Sequence, residues 1–379
     1  MILSRKNYKW SIPSVDWFLL GFIAPILLAG LFTMNSFAEK NAFFDRQVIW
    51  IGISLIVFFI FSKIDFKFLR KTGIIFGIYL AIISILLLLF GIGATVKGAQ
   101  GWFNFGLFSI QPSEFAKLAL ILLLAKYFSR RHIEIKNFKH ILVSGVYAGI
   151  LFVLVALQPD FGSAIIIFSI WFGMVLVSGI SKKHILIVFT ITALVVTLLW
   201  NFVFYEYQKQ RILTFIHPLQ DIRGVGYNAY QSTITVGSGQ ILGKGLGYGT
   251  QSRLKFLPEY QTDFIFAAYA EEWGLVGVLI LFSLYMLVLW RILKTAMNGA
   301  TNFEILFGAG ITIMFVAHLV VHIGMNVGIM PVTGITIPFM SYGGSHLLVS
   351  FMALGILQSM RRYSSSVHKD SMKNEFLGV

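Results

Sequence analysis

Residues 72–94, TGIIFGIYLAIISILLLLFGIGA, run for 23 positions without a charged side chain, and a helix that crosses a bilayer needs about 20 such residues. Comparable runs recur outward in both directions. They place expected spans at about 17–36, 47–62, 72–94, 112–128, 140–158, 161–180, 184–204, 263–290, 303–328 and 342–360. The 379-residue chain is 57% hydrophobic and 12% charged, with a mean hydropathy of +0.80. Such a composition excludes a water-soluble fold. The expected fold is an all-α polytopic membrane protein of about ten transmembrane helices, forming a single membrane domain over 1–379. No repeat of 20–50 residues suggests a solenoid.

Basic residues orient the spans. Arg5, Lys6 and Lys9 precede the first, Lys63, Lys67, Arg70 and Lys71 follow the second, and Lys126, Arg130, Arg131, Lys136 and Lys139 follow the fourth. Lys182 and Lys183, Arg291 and Lys294, and Arg361 and Arg362 fall on the same side, so both termini are expected in the cytoplasm, with short tails at 1–16 and 361–379. The net charge of +14 is explained by this asymmetry, and no nucleic-acid partner is expected. Without a small-residue cleavage site, the first apolar stretch reads as a retained span. With no cysteine, disulfides, thiolate nucleophiles and Cys-ligated metals are excluded.

The opposite side holds six of the eight prolines and a long extracytoplasmic loop, about 205–262, between spans seven and eight. Residues 205–219 mix apolar and cationic positions, as an interfacial helix does. Residues 224–249 carry eight glycines, which serve either close backbone approach to a ligand or flexible turns.

Ionisable residues inside spans are expensive and normally face protein or water. Glu114 and Lys117 lie three apart behind Pro112, sharing one helix face; they form either a functional pair or an ion pair that orients helices. Asp160, after Gln158-Pro159, stands where a carboxylate caps a helix. Asp263 opens the eighth span. Glu271 follows a little over two turns later, on a shared face that could line one cavity, and Glu271 and Glu272 equally suit buried cations. His318 and His322 are four apart but lack the intervening glutamate of a zinc-protease helix. Gly243-Lys244-Gly245 lacks the Ser or Thr of a phosphate-binding loop, which argues against ATP hydrolysis.

Five stretches carry a family resemblance: GAQGWFNFGLFSIQPSEFAK (98–117), LQPDFGSA (157–164), GYNAYQSTITVGSGQILGKGLGYGTQS (226–252), FLPEYQTDFIFAAYAEEWGLVG (256–277) and MPVTGITIPFMSYGGS (330–345). Together they resemble the SEDS family (shape, elongation, division and sporulation) over nearly the whole chain, with GTQSRLKFLPE closer to its elongation branch. The resemblance implies an inverting glycosyltransferase of the bacterial cytoplasmic membrane. It would polymerise lipid II at the outer face, alongside a class B penicillin-binding protein and other membrane proteins of the elongation machinery. The family's catalytic aspartate falls on Asp263, and its important Trp, Glu, Lys and Asp positions fall on Trp102, Glu114, Lys117 and Asp160. Two positions depart from the common pattern: Gln261 stands where histidine is usual, and Trp273 follows Glu272 where leucine is usual.

A sugar hydroxyl needs a base to attack, and Asp263, at the level of a lipid headgroup, is the expected base. A diphosphate leaving group needs no general acid but does need cations. Lys117, Arg211, Lys244, Arg253 and Lys255 are candidates, and a divalent cation (Mg or Mn) would serve equally. No metal ligands are assigned. Trp102 would stack on a sugar or anchor at the interface. The candidate substrate contacts are thus Trp102, Glu114, Lys117, Asp160, Lys244, Arg211 and Glu259. A flippase of lipid-linked precursor is the competing reading, followed by a scaffold without chemistry.

Overall fold

The computed structural model describes residues 15–36, 42–96, 99–106, 108–129, 138–179, 182–202, 206–216, 226–299 and 301–376. Arg5, Lys6, Lys9, Arg130, Arg131, Lys136 and the loop residues 217–225 lie outside these, as does the side chain of Arg211.

The helices are α1 (Trp17–Asn35), α2 (Ala42–Lys63), α3 (Thr72–Ile92), α4 (Pro112–Ser129), α5 (Phe138–Leu157), α6 (Phe161–Val177), α7 (Lys182–Phe202), α8 (Glu206–Ile216), α9 (Tyr227–Ser238), α10 (Thr250–Arg253), α11 (Ile265–Met297), α12 (Asn302–Asn326) and α13 (Gly344–Phe376). A small antiparallel sheet, β1 (Ala94–Val96), β2 (Ala99–Asn104) and β3 (Ser109–Ile110), lies between α3 and α4. The all-α expectation did not include it.

Among the described residues, six helices are long and apolar enough to cross a membrane: α1, α2, α3, α5, α11 and α12. This corrects the expected ten. The physical reasons differ by helix. In α4, Glu114, Lys117 and Lys126 interrupt 18 residues. The α6 helix has only 17 residues. Parts of α7 lie outside the described side chains, and α13 turns polar and charged beyond Met360.

The interior of the bundle explains the charged α4. Its residues Leu118–Ala125 are all buried, packed by α3, α6 and α12, so its ionisable groups meet protein and not lipid. The periphery is apolar instead. Leu80, Leu87 and Leu88 on α3, Ile56 and Ile60 on α2, and Leu279, Ile280 and Met286 on α11 are exposed, as lipid-facing surfaces require.

At one end of the molecule Asp16 caps α1, accepting from the Leu19 amide at 3.2 Å. It also accepts from Arg291 Nε at 2.7 Å and Arg361 Nη1 at 3.3 Å. The segment ahead of α1, the late part of α11 and the middle of α13 are thereby tied together.

Candidate active site

The α11 helix starts at Ile265, so Asp263 sits in the turn before it and not on its first turn. Four hydrogen bonds fix that turn. Asn326, fully buried at the end of α12, donates through Nδ2 to the Asp263 carbonyl at 3.0 Å and accepts the Ala267 amide on Oδ1 at 3.1 Å. Ser341 Oγ donates to the Thr262 carbonyl at 2.9 Å, and the Tyr342 amide donates to the Gln261 carbonyl at 2.9 Å. Gln47 of α2 reaches across to the Ser341 carbonyl at 3.1 Å. A β-carbon on Gly344 would lie 2.1 Å from the Trp50 ring, so α13 can start against α2 only with glycine there.

These turns enclose a cavity of about 410 Å³. Of the candidates from sequence, Asp263, Glu259, Asp160, Glu114 and Trp102 line it together. Asp160 caps α6, accepting the Ser163 amide at 3.0 Å on Oδ1, while Oδ2 accepts from Gln111 Nε2 at 2.8 Å. Capping and a place in the cavity therefore coexist. Glu259 Oε2 accepts from Thr262 Oγ1 at 3.1 Å. Gln261, at the unusual position, donates through Nε2 to the Tyr260 hydroxyl at 2.9 Å. Burial pushes that phenol up from its ordinary range, so it is neutral at physiological pH.

Lys117 lies behind the cavity wall with no exposure. Its ammonium donates to Glu114 Oε1 at 2.6 Å and to His318 Nε2 at 3.2 Å. His318 Nδ1 donates in turn to the Thr336 carbonyl at 3.0 Å, which fixes its tautomer. The second Glu114 oxygen accepts from His346 Nδ1 at 2.9 Å. His346 lines the cavity and was missed from sequence. Glu114, His318 and His346 come close enough to hold a metal ion. However, the Lys117 ammonium already occupies Glu114 and His318, so these residues do not fit a cation while that lysine is charged. His322, the other half of the histidine pair, donates instead to the Ile335 carbonyl at 2.6 Å.

Two of the candidates from sequence lie outside this cavity. Glu271 does not share the cavity with Asp263: among the described lining residues it is absent. It accepts from Lys244 Nζ at 2.7 Å, the Gln251 amide at 3.0 Å and Ser252 Oγ at 3.1 Å. Lys244 is likewise away from the cavity, pinning the glycine-rich loop to α11.

A family model described as cell cycle protein, FtsW/RodA/SpoVE, matches residues 11–366. The chain is 35% identical over 373 residues to peptidoglycan glycosyltransferase MrdB of Escherichia coli K12, covering 96% of this chain and 98% of that one. It superposes on the rod shape determining protein RodA of Thermus thermophilus with a TM-score of 0.70 at 28% identity, over 93% and 98% of the two chains. A chain from a structure describing how a peptidoglycan synthase complex coordinates polymerization and crosslinking gives a TM-score of 0.79 at 30% identity, again over 93% and 98%. Matched over nearly its full length by model, sequence and structure, the chain belongs to the FtsW/RodA/SpoVE family, the SEDS proteins of the bacterial cytoplasmic membrane.

Proposed function

We propose that this protein polymerises lipid II into β-1,4-linked glycan strands at the outer face of the cytoplasmic membrane, beside a class B penicillin-binding protein that crosslinks them. The observation that carries the reading is the cavity that joins Asp263 to Asp160, Glu259, Glu114 and Trp102. Family membership supplies the reaction class.

An α-linked sugar diphosphate becomes a β-linked glycan by one displacement. The acceptor 4-hydroxyl attacks the anomeric carbon, the bond to the diphosphate oxygen breaks, and the hydroxyl proton leaves. We assign that proton to Asp263. Its backbone is held on both flanks by Asn326 and Ser341, which supports a fixed direction of attack. Trp102 offers a flat apolar face to a sugar ring. Asp263, Glu259 and Asp160 are oxygen donors of the kind that magnesium or manganese prefers, and a bound cation would stabilise the departing diphosphate.

The test is glycan polymer formation from purified lipid II. Wild type is expected to give polymer, EDTA to abolish it and added magnesium or manganese to restore it. Polymer that persists in EDTA would remove the cation from the mechanism, and translocation of lipid II without polymer would favour a flippase.

A further inference from the structure

The charged side chains lining the cavity are Glu114, Asp160, Glu259 and Asp263, and among the described residues no lysine or arginine joins them. A diphosphate entering such a space is favoured where a carboxylate is neutralised and a group able to carry positive charge stands beside it. At the corner around His346, Glu114 is neutralised by Lys117 at 2.6 Å, and His346 is a group able to carry positive charge.

Two independent features converge on the corner. His346 is only 5% exposed and its Nδ1 is committed to Glu114, yet its Nε2 is buried with no hydrogen-bond partner. A buried nitrogen of this kind is costly unless something binds it. His346 also stands on the first turn of α13, where Gly344, Ser345 and His346 line the cavity. Their amides precede any intrahelical acceptor, and the positive end of a 33-residue helix points to the same space.

We propose that the first turn of α13 and His346 Nε2 form an anion subsite for the diphosphate of the lipid-linked sugar. Glu114 orients the imidazole by accepting from Nδ1, so that Nε2 meets a phosphate oxygen and takes up a proton on binding. Asp263, Asp160 and Glu259 are left to the sugar hydroxyls and to cations. The identity of the ligand rests on the function proposed above; the anion preference of the corner does not.

The test uses the full chain in nanodiscs and measures binding of undecaprenyl diphosphate, undecaprenol and inorganic diphosphate. Wild type is expected to prefer undecaprenyl diphosphate over undecaprenol and to lose it to competing inorganic diphosphate. Equal affinity for undecaprenyl diphosphate and undecaprenol overturns the subsite without any mutation. Two variants then divide the roles of His346. An asparagine amide reaches the Nδ1 position only, and a glutamine amide reaches the Nε2 position. His346→Asn is expected to weaken diphosphate binding about tenfold, the scale of one charge-assisted hydrogen bond, and His346→Gln clearly less. Unchanged binding in His346→Asn, or equal loss in both variants, overturns the assignment. Diphosphate-selective binding by a wild type that makes no polymer would sink the proposed function and leave the subsite standing. Polymer without that selectivity would do the reverse.

Discussion

Lys117 has no solvent exposure and holds Glu114 in the protein interior. Removing one partner of such a pair leaves an uncompensated charge, at a cost of about 3–5 kcal/mol. Lys117→Met is therefore expected to lower folded yield and melting temperature before any rate is measured, with Glu114→Gln in the same chain recovering much of the loss. A normally folded Lys117→Met with reduced turnover would instead assign the lysine a role in catalysis. Asn326 provides a second residue-scale test. Asn326→Leu removes the donor to the Asp263 carbonyl and is expected to reduce kcat at least tenfold with little change in KM, read from polymer yield against lipid II concentration. Asp263, Glu114 and Asp160 could be singled out from sequence because a carboxylate in an apolar run is conspicuous. His346 could not: Ser345 and His346 read as the ordinary start of an apolar helix, and the partner of His346 on Glu114 lies 232 positions away.

The α11 helix breaks at Gly274, where φ is 64° and ψ −167°, a conformation confined almost entirely to glycine. Backbone groups freed inside a span must be satisfied by other protein, and the glycine-rich loop does this. The Lys244 and Gly245 amides donate to the Glu271 and Glu272 carbonyls at 2.9 and 3.0 Å, and the Leu275 and Val276 amides donate to Gln240 and Ile241 at 2.9 and 3.1 Å. The glycines at 224–249 read from sequence as either close approach to a ligand or flexible turns; Gly239 and Gly243 instead approach the broken helix, where a β-carbon would meet the Ala270 and Glu272 carbonyls. A local reading of α11 as one continuous span hides the break, because Glu271 to Val276 has no proline to announce it. Gly274→Ala would bring a β-carbon within 2.3 Å of the Gly243 amide nitrogen. It is expected to destabilise the protein by at least about 1–3 kcal/mol, seen as a lower melting temperature. Lys244→Met, which leaves Glu271 without its cation, is expected to speed amide exchange across 244–252 while the distant cavity keeps its binding of lipid II. Unchanged exchange there would show that the backbone ladder holds the loop without the ion pair.

Across the whole molecule, hydropathy recognised a membrane protein but not how its helices share the work. A window of apolar residues looks alike whether it faces lipid, as on α3, or protein, as on α4. Ten runs therefore read as ten equal spans where, among the described residues, six helices meet the length and composition for crossing. Motif order was the more durable signal. The stretches at 98–117, 157–164, 256–277 and 330–345 are far apart in sequence, and their turns close on one cavity because α4, α6, α11, α12 and α13 pack together. The role proposed for Asp263 in this cavity is proton abstraction in glycan polymerisation. Its most direct test is gel-resolved polymer formation from purified lipid II by wild type and Asp263→Asn, each reconstituted with and without the class B transpeptidase. Polymer is expected from wild type and none from Asp263→Asn, with folding and lipid II binding nearly intact. Sustained polymer formation by Asp263→Asn would contradict it.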